Sequence, residues 1–146
     1  MEIVRITDTK GHVLDAALLA KAEPVHRQLR PQIPQPYEAS MKDVFATGAE
    51  MVVAVENGEV CGVAVFRITI NTMVGKKIYS EDLVADANTT VKGVGRALMD
   101  FLKQEGKSRG CVSLELESGT QREQAHKFYY REGFAIKAFG FKQSLA

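Results

Sequence analysis

The stretch Val91-Lys92-Gly93-Val94-Gly95-Arg96-Ala97-Leu98 sets two glycines, one residue apart, where a strand gives way to a helix. Upstream, Ile78 to Ala85 reads as a strand. Downstream, Val94, Ala97, Leu98, Phe101 and Leu102 recur at i, i+3, i+4, i+7 and i+8, a single apolar helical stripe. Glycine weakens a helix interior, so the pair points to something that must approach bare backbone. The free N–H groups and the dipole of a helix start both favour phosphate oxygens. Two familiar phosphate patterns fail here. A dinucleotide fingerprint needs a third glycine where Leu98 stands, and a P-loop needs a Gly-Lys-Ser/Thr ending that is absent.

The rest of the chain surrounds this junction with a mixture of elements. Glu2 to Thr7 reads as a short strand. Val13, Leu14, Ala17, Leu18 and Lys21 have helical spacing, with Pro24 expected to end or kink that helix and Val25 to Leu29 to restart it. Pro31, Pro34 and Pro36 impose a loop of restricted geometry, and Glu38 to Ala46 reads as a second helix. Met51 to Glu56 and Glu59 to Ile70 form a hairpin about Asn57-Gly58. Cys111 to Leu116 reads as a strand, Gln121 to Arg131 as a helix, and Phe134 to Leu145 as one or two last strands. The order is an antiparallel hairpin followed by strand–helix–strand–helix–strand, with no repeat and no linker.

With the glycine junction, a second block carries a resemblance. Glu81 to Asp86, then Lys92-Gly93-Val94-Gly95-Arg96, resembles the acetyl-CoA motif of the GNAT superfamily of N-acetyltransferases, Arg/Gln-x-x-Gly-x-Gly/Ala. Thr90 stands where that pattern has Arg or Gln, but a main-chain cradle does not use that side chain. Ala125-His126-Lys127-Phe128-Tyr129-Tyr130-Arg131-Glu132-Gly133-Phe134 is similar to the family's later motif, Ala-x-x-x-Tyr-x-x-x-Gly-Phe. The resemblance implies an α/β fold with a central, mostly antiparallel mixed sheet flanked by helices, one acetyltransferase domain over residues 1–146, and acetyl-CoA as cosubstrate.

It also implies site residues. Main-chain groups of Val91, Lys92, Gly93, Val94, Gly95 and Arg96 would hold the coenzyme pyrophosphate, and those of Leu83, Val84 and Ala85 its pantetheine arm. Tyr129 would be the acid near the coenzyme sulfur, a role that suits a phenol. By spacing alone Tyr129 equally suits a core aromatic, because it shares a helical face with Ala125 and Phe128. Tyr130 points about 100° away and ranks second. Glu81 is a candidate base; an edge carboxylate is the plainer reading of it. His126 reads as a packing or hydrogen-bonding residue, and His12 and His26, which lack metal-ligand spacing, as surface residues. Lys92, Arg96 and Lys103 could meet coenzyme phosphates or simply be solvated charges. The segment from His26 to Tyr37 would wall the acceptor, with Arg30 and Tyr37 as contacts.

Composition bounds the partners. The chain is 45% hydrophobic and 25% charged with a net charge of +1, which gives no electrostatic argument for nucleic acid or an anionic membrane. Met1 to Arg5 lack the apolar core of a targeting segment and no apolar run approaches a membrane span, so a cytoplasmic location is the expectation. Cys61 and Cys111 read as free thiols and no metal pattern is present. The Ala125 to Phe134 block and the ending Phe139 to Leu145 are similar to acetyltransferases that act on small amines, including aminoalkylphosphonate and aminoglycoside enzymes, and that resemblance implies a small-molecule amine as partner, with a homodimer compatible. The alternatives are a protein amine as acceptor, or a coenzyme A-binding sensor without catalysis.

Overall fold

The computed structural model describes residues 1–146. Its elements are β1 (Glu2–Arg5), α1 (Ala16–Leu29), α2 (Tyr37–Ala46), β2 (Ala49–Glu56), β3 (Glu59–Asn71), β4 (Gly75–Ala85), α3 (Val94–Ser108), β5 (Ser113–Leu116) and α4 (Glu123–Arg131). The strands form one sheet in chain order, and the successive pairs from β1 to β4 are antiparallel. The chain divides into two units, Met1–Glu115 and Leu116–Ala146.

In the first unit the sheet is covered on both faces, which explains the unbroken apolar run of β2. Alternation sends Met51 and Val53 to a core built with Leu19, Ala22, Met41 and Phe45 of α1 and α2. Val52 and Ala54 face a second core with Val94, Leu98 and Leu102 of α3. The Asn57-Gly58 turn has positive φ at both residues, 52° and 77°, as a two-residue hairpin of this twist requires.

Helix α1 departs from expectation. Asp15 caps it by accepting from the Leu18 N–H at 2.9 Å, and it runs through Pro24 without a break. Proline's φ is already helical, so the cost is one lost hydrogen bond and a crowded carbonyl. Leu19, Ala22, Val25 and His26, buried on both sides of Pro24, hold the helix to the sheet across that defect.

Two local features place the functional elements. The β3–β4 register shifts between Val65↔Asp82 and Phe66↔Ser80, which leaves Glu81 as the extra, bulged residue of β4. At Gly62 of β3, a Cβ would lie 2.5 Å from Val94 Cγ1 and 3.0 Å from Leu98 Cδ1. The bare backbone there lets the start of α3 lie close against the sheet.

In the second unit, α4 is followed by Gly133 at φ 92°. Residues 134–146 carry neither helix nor strand, contrary to the alternating pattern of Phe139 and Phe141. A strand exists only as part of a ladder, and here Phe139, Phe141 and Leu145 are exposed, with no paired neighbour to fix the alternation.

Candidate active site

A cavity of about 600 Å³ opens in the first unit between α1, α2, the loop joining them, and strands β3 and β4. Its apolar wall comes from Ile33, Met41, Val44 and Val65, and its polar floor from Arg30, Glu81 and Asp82. Consecutive strand residues normally face opposite ways, so Glu81 and Asp82 could not both reach one cavity from a regular strand. The bulge at Glu81 removes that restriction, and both carboxylates line the same space.

Asp82 is the centre of a polar chain that runs from the half-exposed Arg30 to the buried His26 and Tyr37. Its Oδ1 accepts from Arg30 Nε at 2.7 Å, and its Oδ2 lies 2.7 Å from His26 Nε2. Arg30 also donates to the Glu81 carbonyl at 3.1 Å. His26 is 1% exposed, and its Nδ1 is 2.9 Å from the Tyr37 hydroxyl. A carboxylate only accepts, so the proton on His26 sits on Nε2; Tyr37 then donates to Nδ1 of a neutral ring or accepts from a charged one. Burial by itself would raise the pKa of Asp82. The hydrogen bonds from His26 and Arg30 and their charge outweigh it, and the carboxyl is held below its usual range. Burial, reinforced by the Glu23 charge, pushes the Tyr37 phenol well above its ordinary value, so it stays neutral.

Glu81 is ion-paired with Arg67 Nε. Arg67 is itself clamped to the end of α2, donating to the Thr47 carbonyl at 2.7 Å and to its hydroxyl at 3.1 Å. This fixes Glu81 at the cavity with part of its acceptor capacity already used.

Beyond the bulge, β4 continues through Leu83, Val84 and Ala85, paired to Ala64, Val63 and Gly62 of β3. On its other side, β5 begins where the Val112 N–H donates to the Lys76 carbonyl at 2.8 Å, near the start of β4. β5 is a short strand of four residues, Ser113–Leu116. The loop after Ala85 leads to Gly93, the N-cap of α3, at φ 77° with nothing within 4 Å of where a Cβ would stand. The first bond of α3 runs from the Ala97 N–H to the Gly93 carbonyl at 2.9 Å. The N–H groups of Val94 and Gly95 therefore have no carbonyl of this helix to meet, while Lys92 and Arg96 are exposed beside them. Open space, unpaired donors, a helix start and two cations fit a pyrophosphate. Val91 is half-buried, and its N–H donates to Thr89 Oγ1 at 3.1 Å.

Tyr129 belongs to the second unit. There it packs on α4 between Phe128 and Phe134, with ring centroids 5.6 and 5.8 Å away. Tyr130 is 57% exposed on the same helix. His126 Nε2 lies 2.7 Å from the Gly119 carbonyl and closes the turn before α4.

The structure thus brings Arg30 and Glu81 to one cavity and sets Leu83, Val84 and Ala85 next along the same strand. Tyr37, expected on the cavity wall, is 3% exposed and lies behind it on His26. His26, expected at the surface, is buried. Its spacing was the available signal: Leu19, Ala22 and His26 follow the i, i+3, i+7 stripe of an inward face. Asp82 was missed for a different reason, because strand alternation would have turned it away from Glu81.

Comparison with known proteins adds an independent finding. A family model described as "Acetyltransferase (GNAT) family" matches residues 17–134. The N-acetyltransferase YhdJ of Bacillus subtilis, described as uncharacterized, is 34% identical over 84 residues, 57% of each chain. The aminoalkylphosphonate N-acetyltransferase of Salmonella typhimurium is 28% identical over 93 residues, 63% of this chain and 60% of its own length. The chain therefore spans about three fifths of the length of these curated relatives. A crystal structure of an acetyltransferase from Trypanosoma brucei matches with a TM-score of 0.76 and 22% identity, covering 99% of both chains. An aminoglycoside N-acetyltransferase in complex with CoA matches with a TM-score of 0.79 and 17% identity, over 99% of this chain and 95% of its own. At such identities the structural likeness bears on the fold.

Proposed function

The chain belongs to the GNAT acetyltransferase family, and from that membership we propose that it transfers an acetyl group from acetyl-CoA to a primary amine of a small molecule by direct attack. The observation that carries the reading is the course of β4. One strand supplies two carboxylates to a cavity of small-molecule size, then the main chain of Leu83 to Ala85, then the loop to the N-terminus of α3. Acceptor and coenzyme would meet along it. The curated relative named for aminoalkylphosphonates supports a small amine as acceptor.

Acetyl-CoA, when bound, supplies the acetyl group as a thioester. The N–H groups of Val94 and Gly95, with Lys92, Gly93 and Arg96, would hold its pyrophosphate. The main chain of Leu83, Val84 and Ala85 would bond its pantetheine arm. An alkyl amine has a pKa of about 10.4 and must lose a proton before it attacks. Glu81, acting through water, takes that proton, and Arg30 shapes the acceptor wall. Tyr129, assigned by the family motif, gives its proton to the departing sulfur. Holding amine and thioester together supplies much of the rate.

The test is a steady-state assay with a panel of primary amines, alongside calorimetry with acetyl-CoA. Acetyl-CoA should bind, and Gly95→Val should abolish binding by filling the approach to the backbone. Tyr129→Phe should keep coenzyme binding and lose about 10²-fold in turnover. Absence of acetyl-CoA binding by the parent protein would end this reading; binding without turnover of any amine would favour a coenzyme A sensor.

A further inference from the structure

Three acids line the cavity, Asp43 from α2 and the consecutive Glu81 and Asp82 from β4, and the two on β4 are not equivalent. Glu81 is paired with Arg67, which is locked to Thr47 by two further bonds. Asp82 accepts one bond on each oxygen, from Arg30 Nε on Oδ1 and from His26 Nε2 on Oδ2. Each of its oxygens keeps a second lone-pair direction. Two donors on two different oxygens also fix the plane of the carboxylate.

The group behind Asp82 is costly to keep. Packing at His26 would be met by any apolar side chain of similar volume, yet a residue 1% exposed here is an imidazole with both nitrogens spent. One meets Asp82 and the other the Tyr37 hydroxyl, whose ring stands edge-on at 5.8 Å. A buried polar network of this kind is stable only when every member is satisfied, and here the members converge on one carboxylate at the cavity. An ionised carboxylate with open lone pairs is the natural acceptor for an ammonium group.

Building on the acetyltransferase reading, we propose that Asp82 is the acceptor-binding group of this cavity, receiving the ammonium end of the amine, and that His26 is the positioning residue that holds its carboxylate in place. Tyr37 acts one step further back, by fixing the ring of His26. Binding and proton removal are then divided between neighbours: Asp82 orients the amine, and Glu81 takes the proton. The bulge at Glu81 makes this division possible, because it turns consecutive acids to one side of β4.

The experiment is a bisubstrate kinetic study of the full chain with one accepted primary amine, comparing the parent with Asp82→Asn, His26→Leu and His26→Gln. Activity of the parent tests the acetyltransferase reading by itself, whatever the variants do. Asp82→Asn should raise the KM for the amine by about 10- to 100-fold, as expected for a lost charge-assisted bond. The KM for acetyl-CoA should stay within about twofold. His26→Leu should shift the amine KM in the same direction. His26→Gln, whose amide can still donate to Asp82 and accept from Tyr37, should restore most of it. A folded Asp82→Asn with an unchanged amine KM would overturn the proposal and leave Asp82 as a clasp between α1 and β4. Should that variant melt below the assay temperature, the His26 pair decides: equal amine KM values for folded His26→Leu and His26→Gln would overturn it as well.

Discussion

Asp82 keeps its charge in a half-buried place because its donors outweigh its burial. That balance has a consequence for stability. In the unfolded chain its carboxyl titrates at about 3.9. In the folded protein it titrates lower, so the stability it contributes is complete above the unfolded value and disappears as pH falls through the folded one. The difference in unfolding free energy between the parent and Asp82→Asn should therefore shrink as pH is lowered from about 5 to about 2. Urea melts of both proteins across that range measure it, and a difference that stays level or grows would show that His26 and Arg30 do not stabilise the charge. This residue also marks where sequence reasoning stops. Glu81 could be picked out because it precedes the glycine motif on a strand. Asp82 and His26 could not be joined, because 56 positions separate them and only the folded register brings them to 2.7 Å.

At the scale of the elements, the seating of α3 decides where the coenzyme phosphates could go. Val94 and Leu98 reach the sheet because Gly62 has no side chain. Gly62→Ala would set a methyl 2.5 Å from Val94 Cγ1, against a stiff β-branched side chain, and 3.3 Å from the Val84 carbonyl oxygen. The overpacking should cost about 1–3 kcal/mol, and it falls on the first turn of α3, so acetyl-CoA affinity should fall too. Gly110→Ala is the matched control. It lies past the far end of α3 at φ 76° with open space around it, so it should cost about 1–2 kcal/mol of backbone strain and leave coenzyme affinity unchanged. Equal affinities for both variants would detach Gly62 from the coenzyme site. Periodicity revealed α3 and the Asn57-Gly58 hairpin, because each is written locally. It misjudged Pro24, whose local cost is overcome by residues buried against a distant sheet. It also promised strands after Phe134, where alternation is present but no ladder forms. The bulge at Glu81 was illegible, since it is a mismatch between two strands and belongs to neither.

Across the molecule as a whole, a net charge of +1 conceals charges that are buried rather than absent. Glu50, near the start of β2, is 2% exposed. Arg109, at the end of α3, donates to both of its oxygens from Nη1, at 2.8 and 2.7 Å. Arg5 of β1 lies 3.7 Å from Glu50 and is paired with Glu105 of α3. Four charges from three separate stretches of chain thus tie the last turn of α3 to β1 and β2, while the Gly62 contact seats its first turn. Taking such charges out of water is expensive, so the network contributes mainly by its completeness. Arg109→Leu would leave Glu50 buried with Arg5 alone at 3.7 Å, and should destabilise the protein by about 3–5 kcal/mol. Glu50→Leu combined with Arg109→Leu removes both members of the pair, and should be less destabilised than Arg109→Leu alone. Coenzyme affinity of the folded variants should be close to that of the parent, because the first turn of α3 is held independently by Val94 and Leu98. Chemical denaturation of the single and double variants, with acetyl-CoA titrations beside it, reads both halves of the argument. A double variant as unstable as Arg109→Leu would mean that leucine cannot fill the site. Parent-like stability in Arg109→Leu would mean that Arg5 alone neutralises Glu50.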